Sequence, residues 1–392
     1  MALIAYLWIA FALNYIDRQM VYSMFPALKA DLGFSSTSLG LIGSVFMWVY
    51  TLSMPIAGRL ADLWRRDALV VSSLLLWSAA TLGCGLAESQ SSFLLWRGIM
   101  GLTESLYYPT ALALIASHYA EGQRSRALSI HQSAQLVGVI IGGWYGGWAA
   151  DHVGWRQAFL VAAAIGIGYS AILAYGLRAH RSQQPTAQKQ SGNASDLLRS
   201  RTYLALCFAF SCFCAIQWIY FAWFPTFLQE RFALSMTDSG WNATVFVQGS
   251  TIIGLLSGGA LADRLRRNHP QARLYVAASG ILGSAPFAYL TFSAASLNQA
   301  RLFSCGFGLF AGLLAANAFS AAYDVIGEKN RGLAAGVLNM SGGISSGAMI
   351  YLAGIWKDTI GFAEMLFWMM TVAMLSAIAL AATTQRQNKR SR

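Results

Sequence analysis

GRLADLWRR at 58–66 recurs as GALADRLRR at 259–267, placing Asp62 and Asp263 201 residues apart, about half of the 392-residue chain. Each copy follows the second long apolar stretch of its half, so the chain reads as two repeats of one plan. Outward from these copies, apolar segments are read at 3–27, 37–57, 68–87, 92–117, 127–150 and 155–177. Six more are read at 202–228, 239–261, 273–293, 300–325, 332–355 and 361–382. A helix crossing hydrocarbon needs about 20 apolar residues, and twelve of them use about 240. The expected fold is all-α: a membrane protein of twelve transmembrane helices in two six-helix halves. RAHRSQQPTAQKQSGNAS, from Arg178, is the one long polar stretch and reads as a flexible linker. The organisation is thus a first half at 1–178, a cytoplasmic linker at 179–201, a second half at 202–382 and a cytoplasmic tail at 383–392.

Composition supports this reading. Hydrophobic residues make up 56% and charged residues only 11%, whereas soluble domains carry about 25% charge. That excludes a soluble enzyme, a disordered chain and a coiled coil. The net charge of +11 is read as topology rather than nucleic-acid binding, because cytoplasmic loops collect Lys and Arg. One set of alternate loops, with the linker and tail, holds 20 of the basic residues; the opposite set holds 5. Both termini are therefore expected in the cytoplasm, and the short outer loops favour a bacterial inner membrane. The five cysteines lie in apolar stretches without metal-type spacing, so neither a metal nor a disulfide frame is expected. The first segment lacks a basic leader and a small-residue cleavage site and is read as a membrane helix rather than a signal peptide. There is no HExxH, no Gly-x-Ser-x-Gly and no Walker loop, hence no expectation of an enzyme or a cofactor.

Two acids, Asp17 and Glu104, and two bases, Arg18 and Arg97, sit deep in apolar segments. Charge in hydrocarbon is costly and usually marks a substrate or proton path; the plainer reading is an ion pair locking two helices. Glu104 follows Arg97 by seven residues, close to two helical turns, so both fall on one face. Asn14 and Arg18 share a face, whereas Asp17 and Arg18 diverge by about 100°. Burial disfavours the charged form of a carboxyl, which suits it to load and release a proton. The planar fork of an arginine suits a carboxylate substrate. The second half offers neutral groups instead: Gln217, Asn242, Gln248, Asn317 and Asn339. Glycine-dense runs at 138–147 and 341–347 permit close helix approach, serving packing or gating. His131 reads first as a packing residue.

The repeated loop motif, Gly-x-Leu-x-Asp with basic residues, resembles that of the major facilitator superfamily. Gly58, Leu60, Asp62 and Arg66 match it, as do Gly259, Leu261, Asp263 and Arg267; Leu63 departs from the first basic position and Arg264 keeps it. The resemblance covers the whole chain and implies the major facilitator fold. LNYIDRQ at 13–19, FMWVYTLSMPIAGRLAD at 46–62, RGIMGLTESLYYP at 97–109, SIHQSAQ at 129–135, GWRQAF at 154–159 and WFPTFL at 223–228 are similar to the anion:cation symporters. NYIDR, the Arg97–Glu104 element and QRSRALSI at 123–130 also resemble Spinster-type lysolipid and sphingolipid transporters.

The symporter resemblance implies a monomeric secondary transporter working by alternating access, coupling a small organic anion, such as a sugar acid, to protons. It implies proton coupling at Asp17 and Glu104 and substrate binding at Arg18, Arg97, Tyr50, Gln135 and Asn339. Asp62, Arg66, Asp263 and Arg264 are expected to gate or latch. The expected partners are the anion, protons and the bilayer, with no nucleic acid. The alternatives are a Spinster-like lipid transporter and a metabolite or drug exporter. Gly142-Gly143-Trp144 lacks the proline of the usual exporter signature.

Overall fold

The computed structural model describes residues 2–180 and 194–390. Among them there is no strand, and helices follow one another directly. They are α1 (Ala2–Ser23), α2 (Phe25–Leu32), α3 (Ser36–Leu63), α4 (Arg66–Gly85), α5 (Gln90–Ser105), α6 (Tyr107–His118), α7 (Glu121–His152) and α8 (Trp155–Gly176). After the linker come α9 (Ala194–Arg199), α10 (Arg201–Phe232), α11 (Met236–Arg266), α12 (Ala272–Phe292), α13 (Leu297–Val325), α14 (Arg331–Trp356) and α15 (Gly361–Arg390). Residues 181–193 of the expected linker and 391–392 of the tail lie outside the described residues.

Each of the twelve segments corresponds to one helix or to two in succession. The first divides into α1 and α2, the fourth into α5 and α6. Both divisions have a covalent cause. Proline lacks an N–H and its ring crowds the carbonyl four residues earlier, which is Tyr22 for Pro26 and Ser105 for Pro109. The ladder breaks at Met24 and Leu106 accordingly. Serine side chains cap several helix starts: Ser35 accepts from Ser38 N at 3.1 Å, Ser89 from Ser92 N at 3.2 Å and Ser296 from Gln299 N at 3.3 Å. Gly33 ends α2 at φ +71°, a left-handed cap that glycine adopts without strain.

Nine of the described helices are long and apolar enough to cross a membrane, by length and composition. The first, fourth and fifth segments fall below that mark, and these three carry Asn14, Asp17, Arg18, Arg97, Glu104, His131 and Gln135. In α1 and α7 the polar side chains lower the average hydropathy of helices that have a span's length, whereas the fourth segment is divided at Leu106 into helices of 16 and 12 residues.

The described residues fall into two compact units. The first holds α1–α8 together with Leu228–Thr244; the second holds the remaining described residues after the linker. In the first, α7 lies directly on α1. A β-carbon at Gly138, Gly142 or Gly146, spaced four apart, would strike the carbonyls of Ala12, Ile16 and Met20 in turn. In lipid, where apolar burial gives helices little net attraction, such close approach supplies the packing. The opposite edge of α7 receives Leu228–Thr244: Gly143 abuts the Gly240 carbonyl and Gly147 the Met236 carbonyl. Asp151, at the end of α7, caps the start of α11, accepting from Thr237 N at 2.8 Å and Thr237 Oγ1 at 2.6 Å.

The second unit repeats the device, with Gly254 and Gly258 of α11 against Leu309 and Leu313 of α13. Aromatic packing on α10 completes it. Tyr220 stacks on Phe307 at 4.6 Å and donates to Ser304 Oγ at 2.5 Å, and Trp223 Nε1 donates to Ile350 O at 3.1 Å.

Candidate functional site

Arg18 and Glu104 meet inside the first unit. Arg18 Nε donates to Glu104 Oε2 at 2.5 Å, with Arg18 5% exposed and Glu104 fully buried. Helical spacing puts Arg18 on one face of α1, and the end of α5 just before the Leu106 break brings Glu104 to it. The guanidinium is held by aromatic faces. It sits 4.3 Å from the centre of the Tyr50 ring and 5.0 Å from those of Tyr15 and Phe46. Such contacts hold a cation without neutralising it. Of the expected site residues, the structure thus brings Arg18, Glu104 and Tyr50 together.

Asp17 points elsewhere, as the turn between consecutive residues requires. Its carboxylate accepts from Thr81 Oγ1 of α4 at 3.4 Å, and its residue is 3% exposed. Thr81 carried no signal in the sequence, where it is one of many hydroxyls in apolar helices.

Arg97 shares a helix with Glu104 but makes no ion pair with it. Its Nε donates to Ile42 O of α3 at 3.4 Å, its Nη1 approaches Met100 Sδ at 3.2 Å, and its guanidinium lies 4.8 Å from the Phe46 ring centre. These contacts join α5 to α3. The one-face expectation from the seven-residue spacing therefore does not translate into an Arg97–Glu104 pair; the partner of Glu104 comes from α1.

Gln135 is half-buried on α7. Asn339 is exposed on α14 and belongs to the second unit. Among the other neutral groups, Asn317 Nδ2 donates to Gly258 O at 3.1 Å and Asn242 Nδ2 to Asp238 O at 2.7 Å, both structural roles. His131 stacks on Phe11 with ring centres 4.5 Å apart. Tyr107 Oη donates to Leu7 O at 2.6 Å, which leaves its oxygen to accept from His131 Nε2 at 3.2 Å. The histidine is a packed member of the α1–α6–α7 seam.

The loop motifs are placed unequally. Asp62 is exposed, and Arg66 donates to Ala61 O at 3.3 Å and Ala113 O at 3.4 Å, tying α3 to α6. In the second unit Asp263 pairs with Arg273 at 3.6 Å, and Arg264 is exposed. Asp324, which the sequence did not single out, joins Arg266 at 3.3 Å and Arg273 at 3.4 Å. Its signal was available: it is the one acid at the end of an otherwise uncharged stretch of α13.

Comparison with known proteins agrees with this architecture. The family model of the Major Facilitator Superfamily matches residues 7–344 and 206–392. The "Probable sulfoacetate transporter SauU" of Cupriavidus necator is 27% identical over 390 residues, covering 94% of this chain and 89% of that protein. "Protein spinster homolog 1" of Homo sapiens is 29% identical over 309 residues, covering 72% of this chain. The chain spans only 58% of that relative's length. A crystal structure of a bacterial homologue of the human lysosomal transporter Spinster has the same fold, with a TM-score of 0.76 at 17% identity, covering 97% of this chain and 93% of that one. Nine helices among the described residues that are long and apolar enough to cross a membrane, a loop motif repeated in each half and a family model matching nearly end to end lead to one assignment: this chain is an integral, multi-pass membrane protein of the major facilitator superfamily, a family of transporters rather than enzymes.

Proposed function

We propose that this chain is a proton-coupled carrier of a small organic anion, with the buried Arg18–Glu104 pair as its working centre. One observation carries the reading: an arginine and a glutamate 2.5 Å apart with almost no exposure, inside a helix set that belongs in a membrane. A pair so placed is costly unless it is used. Arg18 spends Nε on Glu104, and its terminal amino groups form the fork that a carboxylate or sulfonate engages. An anion drawing on Arg18 weakens its hold on Glu104, which then takes a proton; loss of the anion restores the pair and returns the proton. Asp17, held apart by Thr81, is a second proton carrier or an orienting group for α1. The sulfoacetate transporter relative, similar over 94% of the chain, supports an anionic substrate.

In this reading Tyr50 steadies Arg18, and Gln135 and Asn339 supply polar contacts to the substrate. Asp62, Arg66, Asp263 and Arg264 latch the cytoplasmic side. The protein works as a monomer in a bacterial inner membrane with both termini in the cytoplasm, as the loop charges favour. A reporter fused after Arg392 should read cytoplasmic; an external reading would reverse the topology.

The Spinster relatives favour a second reading, a lysolipid substrate. Uptake into proteoliposomes separates the two. Sugar acids and sulfoacetate should accumulate when the pH gradient is imposed and only equilibrate without it. Transport of lysolipids with no movement of any carboxylate or sulfonate would favour the second.

A further inference from the structure

Asn14 is the polar group beside this pair that neither the fold nor the ion pair explains. It precedes Arg18 by one helical turn on α1 and is 1% exposed. Its side chain neighbours the Glu104 carboxyl, yet neither amide atom has a hydrogen bond of good geometry, and neither has Oε1 of Glu104. A buried amide left unmatched is destabilising, so its presence calls for a state in which it is matched.

Hydrogen-bond chemistry identifies that state. An ionised carboxylate only accepts, and Arg18 only donates, so the two are complementary. A protonated carboxyl gains one O–H donor, which a guanidinium cannot accept. The charged and titratable groups facing Glu104 are Arg18, Arg97, Asp17, Tyr15, Tyr22 and Cys84. Of these the arginines have no acceptor, and Asp17 faces Thr81. Asn14, one turn from Arg18 on the same face of α1, offers an amide oxygen that makes no hydrogen bond.

We propose that Asn14 is the positioning residue that accepts the hydrogen bond of protonated Glu104. The proton arrives on Oε1, and the new O–H donates to Asn14 Oδ1 while Oε2 keeps Arg18. When the proton leaves Oε1, that hydrogen bond is lost and the carboxylate keeps Arg18. The amide oxygen thereby favours the protonated form, and the carboxyl takes up its proton without leaving a donor unmet. This rests on the reading that Glu104 carries the coupling proton.

Asn14→Leu keeps the branched skeleton and removes both polar atoms. Gradient-driven uptake should reach half its maximum at a pH about one unit lower than in the unsubstituted protein, a tenfold loss in proton affinity. Counterflow exchange at acid pH should persist, which shows that the variant is folded and binds substrate. Asn14→Ala, smaller and free of any clash, should shift the profile in the same direction and serves if the leucine variant is not expressed. A profile that stays in place, or moves to higher pH, overturns the proposal. Glu104→Gln separates this from failure of the underlying reading. If it still accumulates substrate, the proton is not on Glu104. If it does not, and Asn14→Leu leaves the profile unmoved, only the role of Asn14 fails.

Discussion

Arg18→Ala should abolish uptake of the anion while the protein still reaches the membrane in reduced amount. Two effects combine. The substrate loses charge-assisted hydrogen bonds worth about 1.5–3 kcal/mol each, roughly ten- to hundredfold in affinity per bond. Glu104 also loses the partner at 2.5 Å, and stranding a buried charge costs about 3–5 kcal/mol. Protonation of Glu104 relieves part of that cost, so the alanine variant should be better tolerated at acid pH. Arg18→Lys is the informative companion. It keeps a cation for Glu104 but replaces the planar fork with a compact ammonium. It should restore expression and leave the substrate concentration for half-maximal uptake raised about tenfold or more. Full uptake by Arg18→Ala, measured at equal surface amount, would remove Arg18 from anion binding.

Glu104→Gln should separate exchange from accumulation. Glutamine has the shape of the neutral carboxyl and cannot ionise. A carrier loaded with anion and proton needs only the neutral form to change sides, so counterflow exchange should continue. An empty carrier must shed the proton before it returns, so uphill accumulation should fall to the level of passive equilibration. A purely structural Glu104 gives the opposite signature: less protein in the membrane, with whatever transport remains still driven by the gradient.

The fold was legible because its determinants are local. Twelve apolar stretches, a loop motif repeated at half the chain length and a lopsided loop charge each need only the sequence next to them. The breaks at Met24 and Leu106 are equally local, since Pro26 and Pro109 announce them, though the segments 3–27 and 92–117 were read as continuous. The site was legible only in part. That Asp17, Arg18, Arg97 and Glu104 are buried follows from their surroundings. Which of them pair does not, because Arg18 and Glu104 are 86 residues apart and meet only through packing of α1 against its neighbours. Helical spacing put Arg97 and Glu104 on one face, two turns apart, and said nothing of the Ile42 carbonyl of α3, to which the Arg97 guanidinium donates. Tyr50 was singled out for substrate contact, and the structure shows its ring on Arg18. The glycine run at 138–147 allowed packing or gating. The alternation of Gly138, Gly142 and Gly146 against α1 with Gly143 and Gly147 against Leu228–Thr244 assigns one edge to each neighbour, a division visible only once both are in place.

Proton movement on addition of substrate tests the central claim most directly. Proteoliposomes in weakly buffered medium, with no gradient imposed, should turn the outside alkaline when a transported sugar acid or sulfoacetate is added. The signal should be lost with Glu104→Gln in vesicles that still perform counterflow. Alkalinisation that persists undiminished in Glu104→Gln, or anion uptake by the unsubstituted protein with no proton following it, would contradict the account.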